Sequence, residues 1–209
     1  MRDNRKGNFL KMKKILFIRR FLGSAAFGLG STALGSVSFQ VGGGIQQADV
    51  VVEGSATSKV PFKGPTKFFG AHLQPIQSLP MGIGIVGSQT SLLSSSLSGG
   101  SIGLQVNSIS LEGSTWAKAG PIAFFLRGGR VLGSSVVATR TSFDSQVFEY
   151  RDIHGSFGGA ASVSSHISLL LELRQSFGGT LDPLYGGEII SKPKNFKSSS
   201  IILGVEFGV

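Results

Sequence analysis

The sequence predicts an all-β fold, an eight-stranded antiparallel up-and-down transmembrane β-barrel. Three features carry that expectation. The final stretch, Ser198 to Val209, alternates: Leu203, Val205, Phe207 and Val209 fall on one face of a strand, Gly204, Glu206 and Gly208 on the other. A strand with so apolar a face invites aggregation in water, but it suits the closing strand of a barrel with lipid outside and lumen inside. Further alternating segments recur after residue 35, and none shows the period of an amphipathic helix. The connections between them read long, short, long, short, as in a barrel with tight turns at one end and longer loops at the other.

Composition is compatible with this reading. Charged residues make up 15% of the 209 residues, against a usual quarter. Gly is abundant at 31, and an apolar fraction of 41% is too high for a disordered chain. Cys is absent, so there is neither a disulfide framework nor a cysteine zinc site. The net charge of +9 is unevenly placed. Residues 1–35 hold eight basic residues and one acid, a balance of +7, whereas the remainder holds 12 basic and 10 acidic residues, +2. A nucleic-acid partner is therefore not expected, because the basic head has another explanation. Residues 1–20 are basic, and Phe21 to Leu34 are uncharged and rich in small residues. That is the layout of a secretory signal peptide. The expected domains are a cleaved signal peptide over 1–35 and a barrel over 36–209. Cleavage falls at Ala33-Leu34-Gly35 or Ser36-Val37-Ser38, and Met12 offers an alternative start.

Taken in order, the first strand sets Val37, Phe39, Val41, Gly43 and Ile45 against Ser38, Gln40, Gly42, Gly44 and Gln46. Ala48 to Pro65 shows no clear alternation and reads as a connection. The second strand carries Phe69, Ala71, Leu73 and Pro75, and the turn Gln77 to Pro80 leads into the third, with Met81, Ile83 and Ile85. After a Ser/Gly-rich loop around Ser94 to Ser101 comes the fourth, through Ile109, Leu111, Gly113 and Thr115. The parity of Leu104 and Val106 conflicts with it, which predicts a bulge or a late strand start near Asn107. Ala119-Gly120 turns into the fifth (Ile122, Phe124, Leu126). Ser134 to His154 reads as a long polar excursion before the sixth (Phe157, Gly159, Ala161, Val163). Ser164 to His166 turns into the seventh, Ile167 to Arg174, and Gly178 to Ser198 reads as the last long loop.

The Gly204, Phe207, Val209 spacing resembles the C-terminal assembly signal of Gram-negative outer-membrane barrels. The whole layout resembles the small eight-stranded members of that class, the OmpA transmembrane domain and OmpX being familiar ones. The resemblance implies location in the cell outer membrane, both termini in the periplasm, a monomer, and the barrel-assembly machinery as partner. Outer-membrane lipid and lipopolysaccharide are the expected surroundings, with Lys192, Lys194 and Lys197 placed to meet lipopolysaccharide phosphates.

With the more apolar face of every strand turned to lipid, the charged strand residues fall inside. His72, Glu112, Arg127, Glu172, Arg174 and Glu206 are expected to form a polar lumen network, alongside Gln40 and Gln74. A charge facing lipid costs about 2–4 kcal/mol at the midplane, whereas opposite charges in a narrow lumen can hydrogen-bond one another. Eight strands enclose just enough space for side chains to fill. The expected role is structural or in surface interaction; a narrow passive channel and a lipid-modifying barrel enzyme are the alternatives. His154-Gly155-Ser156 resembles the His-x-Ser pair of lipid A deacylases, but Phe157 replaces the Asn that follows in that family. No catalysis, cofactor or metal site is expected; His72 and His166 stand alone and show no ligand spacing.

Overall fold

The computed structural model describes residues 36–52, 58–75, 79–94, 101–140, 145–187, 189–190 and 193–209. The expected signal peptide and Lys192 lie outside the described residues. Ten strands form: β1 (Val37–Val52), β2 (Ser58–Leu73), β3 (Met81–Ser94), β4 (Ile102–Ala119), β5 (Ile122–Thr139), β6 (Ser145–Arg151), β7 (Ile153–Ser162), β8 (Ile167–Ser176), β9 (Thr180–Gly186) and β10 (Pro193–Gly208). All neighbouring pairs are antiparallel. The ring runs β1-β2-β3-β4-β5-β7-β8-β10 and returns to β1, so the barrel is closed and has eight staves. β6 and β7 are two parts of one stave, interrupted at Asp152, and β9 continues β8 beyond a short break.

Seen from outside, the half of the barrel that holds the start of β1 and the end of β10, the terminal half, wears an apolar coat. Phe39, Val41, Phe69, Ile83, Leu111, Phe124, Leu126, Leu169, Leu171 and Leu203 all point away from the lumen and are exposed. A water-soluble barrel would hide such residues; lipid is the solvent that fits them. The chain closes on itself at this end: Phe39 pairs with Phe207, and the Val209 N–H donates to the Val37 carbonyl at 2.9 Å.

Strands of 16 to 18 residues are longer than the roughly 9–11 that a tilted strand needs to cross a bilayer. The excess lies at the far end, and it corrects three expectations. The stretches 48–65, 134–154 and 178–198 are mostly strand rather than loop. Their alternation is hidden in the sequence because the apolar side changes. In the terminal half apolar residues face outward; in the far half Val50, Val60, Phe62, Leu92, Leu104, Val106, Val136, Phe148 and Phe196 face inward and form one buried cluster. The outward positions there are mixed, with polar residues such as Lys59, Lys63 and Lys67 beside Leu93 and Leu132.

Leu104 and Val106 are thus in phase with Glu112, and β4 needs no bulge. The irregularity sits on the partner strand instead. Ile109 pairs with Gly133 and Ser110 with Val131, so Leu132 of β5 is the extra residue. It lets Val131 and Val136 both turn inward.

Candidate functional site: a braced lumen

The lumen of the terminal half is crossed by one chain of side-chain contacts. It starts on β1, where the Gln40 amide oxygen accepts from an Arg127 terminal nitrogen at 2.9 Å. The same nitrogen donates to Glu172 of β8 at 2.9 Å. Arg174, two residues along the same strand and on the same face, donates to Glu172 through Nε and Nη2 at 3.0 and 2.8 Å. Arg174 also reaches Glu112 on β4 at 3.0 Å, and the Glu112 carboxylate meets His154 Nε2 of β7 at 3.0 Å. Five staves are tied together in this way.

Both carboxylates are buried, Glu172 at 0% and Glu112 at 1% exposure. An unpaired buried charge would cost several kcal/mol, but here two guanidinium groups face two carboxylates. Charge cancels within the cluster, and charge-assisted bonds replace much of the lost hydration, with Glu112 Oε2 and Arg127 Nε left without a hydrogen-bond partner. Arg127 gains a further contact from the Phe125 ring, with its guanidinium carbon 4.1 Å from the ring centre.

Glycines make room for this cluster. A Cβ at Gly158 would strike Phe125, one at Gly84 would strike His72, and one at Gly129 would meet Glu112 and His154. Phe68 lies against Gly42 and Gly204 in the same manner, and packs with Val86, Phe125, Ala160, Leu170 and Ile202 around the ion pairs.

Of the six residues singled out in the sequence, Glu112, Arg127, Glu172 and Arg174 are in direct contact. His72 is buried against Gly84 and its Nε2 has no hydrogen-bond partner. Glu206 is half-buried and makes no ion pair among the described residues. Those two stand nearer the terminal mouth, beside a cavity of about 380 Å³ that opens there. His154 is a brace that the sequence shows only as half of a His-x-Ser pair. Its signal was phase: His154 and Ser156 share parity with inward Gly158 and Ala160.

Above the ion pairs stands a second polar group that the sequence reading placed in a loop. The Tyr150 hydroxyl donates to Asp152 at 2.6 Å, and the Ser176 hydroxyl donates to the other Asp152 oxygen at 2.9 Å. Burial, with the Asp152 carboxylate alongside, raises the Tyr150 phenol well above its usual range. Tyr150 packs edge-on against Phe196, with ring centres 5.0 Å apart, and this joins the group to the apolar cap. The lumen is therefore polar only in part, which corrects the expectation that polar side chains fill it. From the terminal mouth it runs from cavity to ion pairs to a greasy seal, where Ile190 is held by the Gln146 side chain through its backbone N–H at 2.8 Å.

No family model matches the chain, and no curated protein matches it. Solved structures do. Neisserial surface protein A of Neisseria is 14% identical over 81% of this chain and 96% of its own, with a TM-score of 0.57. Ail, the attachment invasion locus protein of Yersinia pestis, is 11% identical over 84% of this chain and 99% of its own, with a TM-score of 0.50. Likeness at such low identity speaks for the fold alone. The chain has the fold of the small eight-stranded outer-membrane β-barrels.

Proposed function

We propose that this chain is an integral outer-membrane barrel with a closed lumen, whose role is structural or in surface interaction rather than in transport or catalysis. The observation that carries this is the double closure: a chain of ion pairs and hydrogen bonds across five staves, then an apolar cap, inside a wall coated for lipid. The fold supports placement in the outer membrane, with the terminal end in the periplasm and the long strand extensions outside the cell. Insertion by the barrel-assembly machinery fits the closing strand, where Gly204, Phe207 and Val209 stand. A lipid-modifying enzyme is disfavoured because His154 and Ser156 face the lumen, where Glu112 holds His154, rather than lipid.

Lipopolysaccharide is the partner that the outer surface favours. Lys59, Lys63 and Lys67 project outward from β2, each four residues from the next. The series ends one outward position from Phe69, the first residue of the apolar coat on that strand. Four residues span about 13 Å at roughly 3.3 Å each, so the lysines climb away from the lipid boundary like rungs. Lys197 is exposed on β10 nearby. Basic groups at an anionic surface gain on the order of 1 kcal/mol each.

The test is unfolding in urea with and without lipopolysaccharide. Replacing Lys59, Lys63 and Lys67 by Gln should shrink the lipopolysaccharide-dependent gain in stability by about 2–3 kcal/mol, on that scale of about 1 kcal/mol per lysine. An undiminished gain would remove lipopolysaccharide from the reading.

A further inference from the structure

The cavity at the terminal mouth is more specific than an open barrel end requires. Its volume is about 380 Å³, and at about 30 Å³ per water it would hold roughly a dozen waters. Its walls combine two kinds of surface. Trp116, the single Trp of the chain and only partly buried, supplies apolar area, whereas Phe125 lines the cavity with its ring under the Arg127 guanidinium. Ser38, Ser114, Ser168 and Gln40 supply small hydrogen-bonding groups.

Two lining residues, Arg127 and His72, are about nine-tenths buried, and each keeps a nitrogen without a hydrogen-bond partner, Nε and Nε2 respectively. Buried polar atoms left unpaired cost about 1–3 kcal/mol apiece; both nitrogens are closed to solvent behind the cavity wall, so a ligand with hydroxyl or carbonyl groups gains them by a turn of the two side chains.

Charge narrows the class. The two arginines of the brace are matched by Glu112 and Glu172. Of the remaining charged side chains that line the cavity, Glu206 and Lys118 have opposite signs. The Asp, Glu, Lys and Arg side chains at and behind the cavity thus balance in sign, and they mark it for neither an anion nor a cation. A neutral ligand with a ring of hydroxyls and an apolar C–H face suits it: the face lies on an aromatic plane and the hydroxyls meet serine, amide and guanidinium groups.

We propose that this vestibule binds a neutral sugar ring or short saccharide, entering from the side on which β1 starts and β10 ends. Only the naming of that side as periplasm rests on the function proposed above; the binding itself is measured in micelles and stands or falls separately.

Trp116 gives the readout. The full barrel is folded in an amine-oxide detergent, because a maltoside would itself present sugar. It is then titrated with glucose, N-acetylglucosamine and the β-1,4-linked disaccharide of N-acetylglucosamine, following Trp116 fluorescence and, independently, heat. The result expected is a saturable response to at least one sugar. It should weaken roughly tenfold or more, about 1.4 kcal/mol, when the cavity is filled by Ser168→Leu or, as a second variant, Ser38→Leu. Retention of the compact, heat-sensitive gel band shows which variants remain folded. A linear response to every sugar up to its solubility limit would overturn the proposal. So would an equal response to alanine or dialanine, or saturable binding that survives in the folded filled-cavity variants.

Discussion

Arg174 is the residue on which the lumen brace turns, because among the described residues it alone contacts both buried carboxylates. Removing it leaves Glu112 with His154 and Glu172 with Arg127, one cation short. Breaking a buried pair from one side typically costs about 3–5 kcal/mol, so Arg174→Ala should lower the unfolding free energy in lipid vesicles by that order. Arg174→Lys keeps the charge but loses the fork that reaches two partners at once, and its loss should be smaller. Equal stability of wild type and Arg174→Ala in a urea titration would mean that the contacts contribute nothing. At this scale the sequence was half legible. A period of two seats Glu112, Arg127, Glu172 and Arg174 on inner faces, but it does not say which guanidinium meets which carboxylate. That depends on which staves face one another across the lumen, such as β5 and β8, where Arg127 meets Glu172, or β1 and β5, where Gln40 meets Arg127.

At the scale of the strand, the terminal halves of the staves were legible and the far halves were not. Lipid demands apolar residues outside, so β1, β3 and β8 alternate cleanly where they cross it. Beyond the lipid the outer solvent is water, and the apolar face turns inward, as at Leu104 and Val106 against Leu111. A pattern that inverts in mid-strand reads as noise when one phase is assumed throughout. Prolines deepened the disguise: Pro61 and Pro65 alternate with lysines on the outer face of β2, and a lone proline usually argues against a strand interior. The extensions make a firm prediction. Backbone amides of Val60, Phe62 and Val147 to Tyr150 should exchange slowly with deuterium, at rates near those of the membrane-spanning residues, because they belong to paired strands with a packed inner face. Exchange at free-chain rates there would restore the loops that composition suggests.

For the molecule as a whole, closure of the wall and closure of the lumen are separate achievements. β1 and β10 close the wall along 15 paired positions, which leaves no strand edge in the lipid-coated half. Beyond it, β9 pairs with β6 on one side, and on the other the described residues show a single bridge to the β10 side, Gly179 with Phe196. There the packed interior holds the structure together, with Phe148, Tyr150, Leu181, Ile190 and Phe196 in one cluster. Any ion entering the vestibule thus meets first a neutralised set of charges and then a dry apolar cap. The most direct test is single-channel recording of the purified barrel in a planar bilayer. The closed lumen predicts a silent membrane across the accessible voltages, with leak appearing, if anywhere, in Arg174→Ala; steady, reproducible conductance steps from the wild-type protein would contradict it.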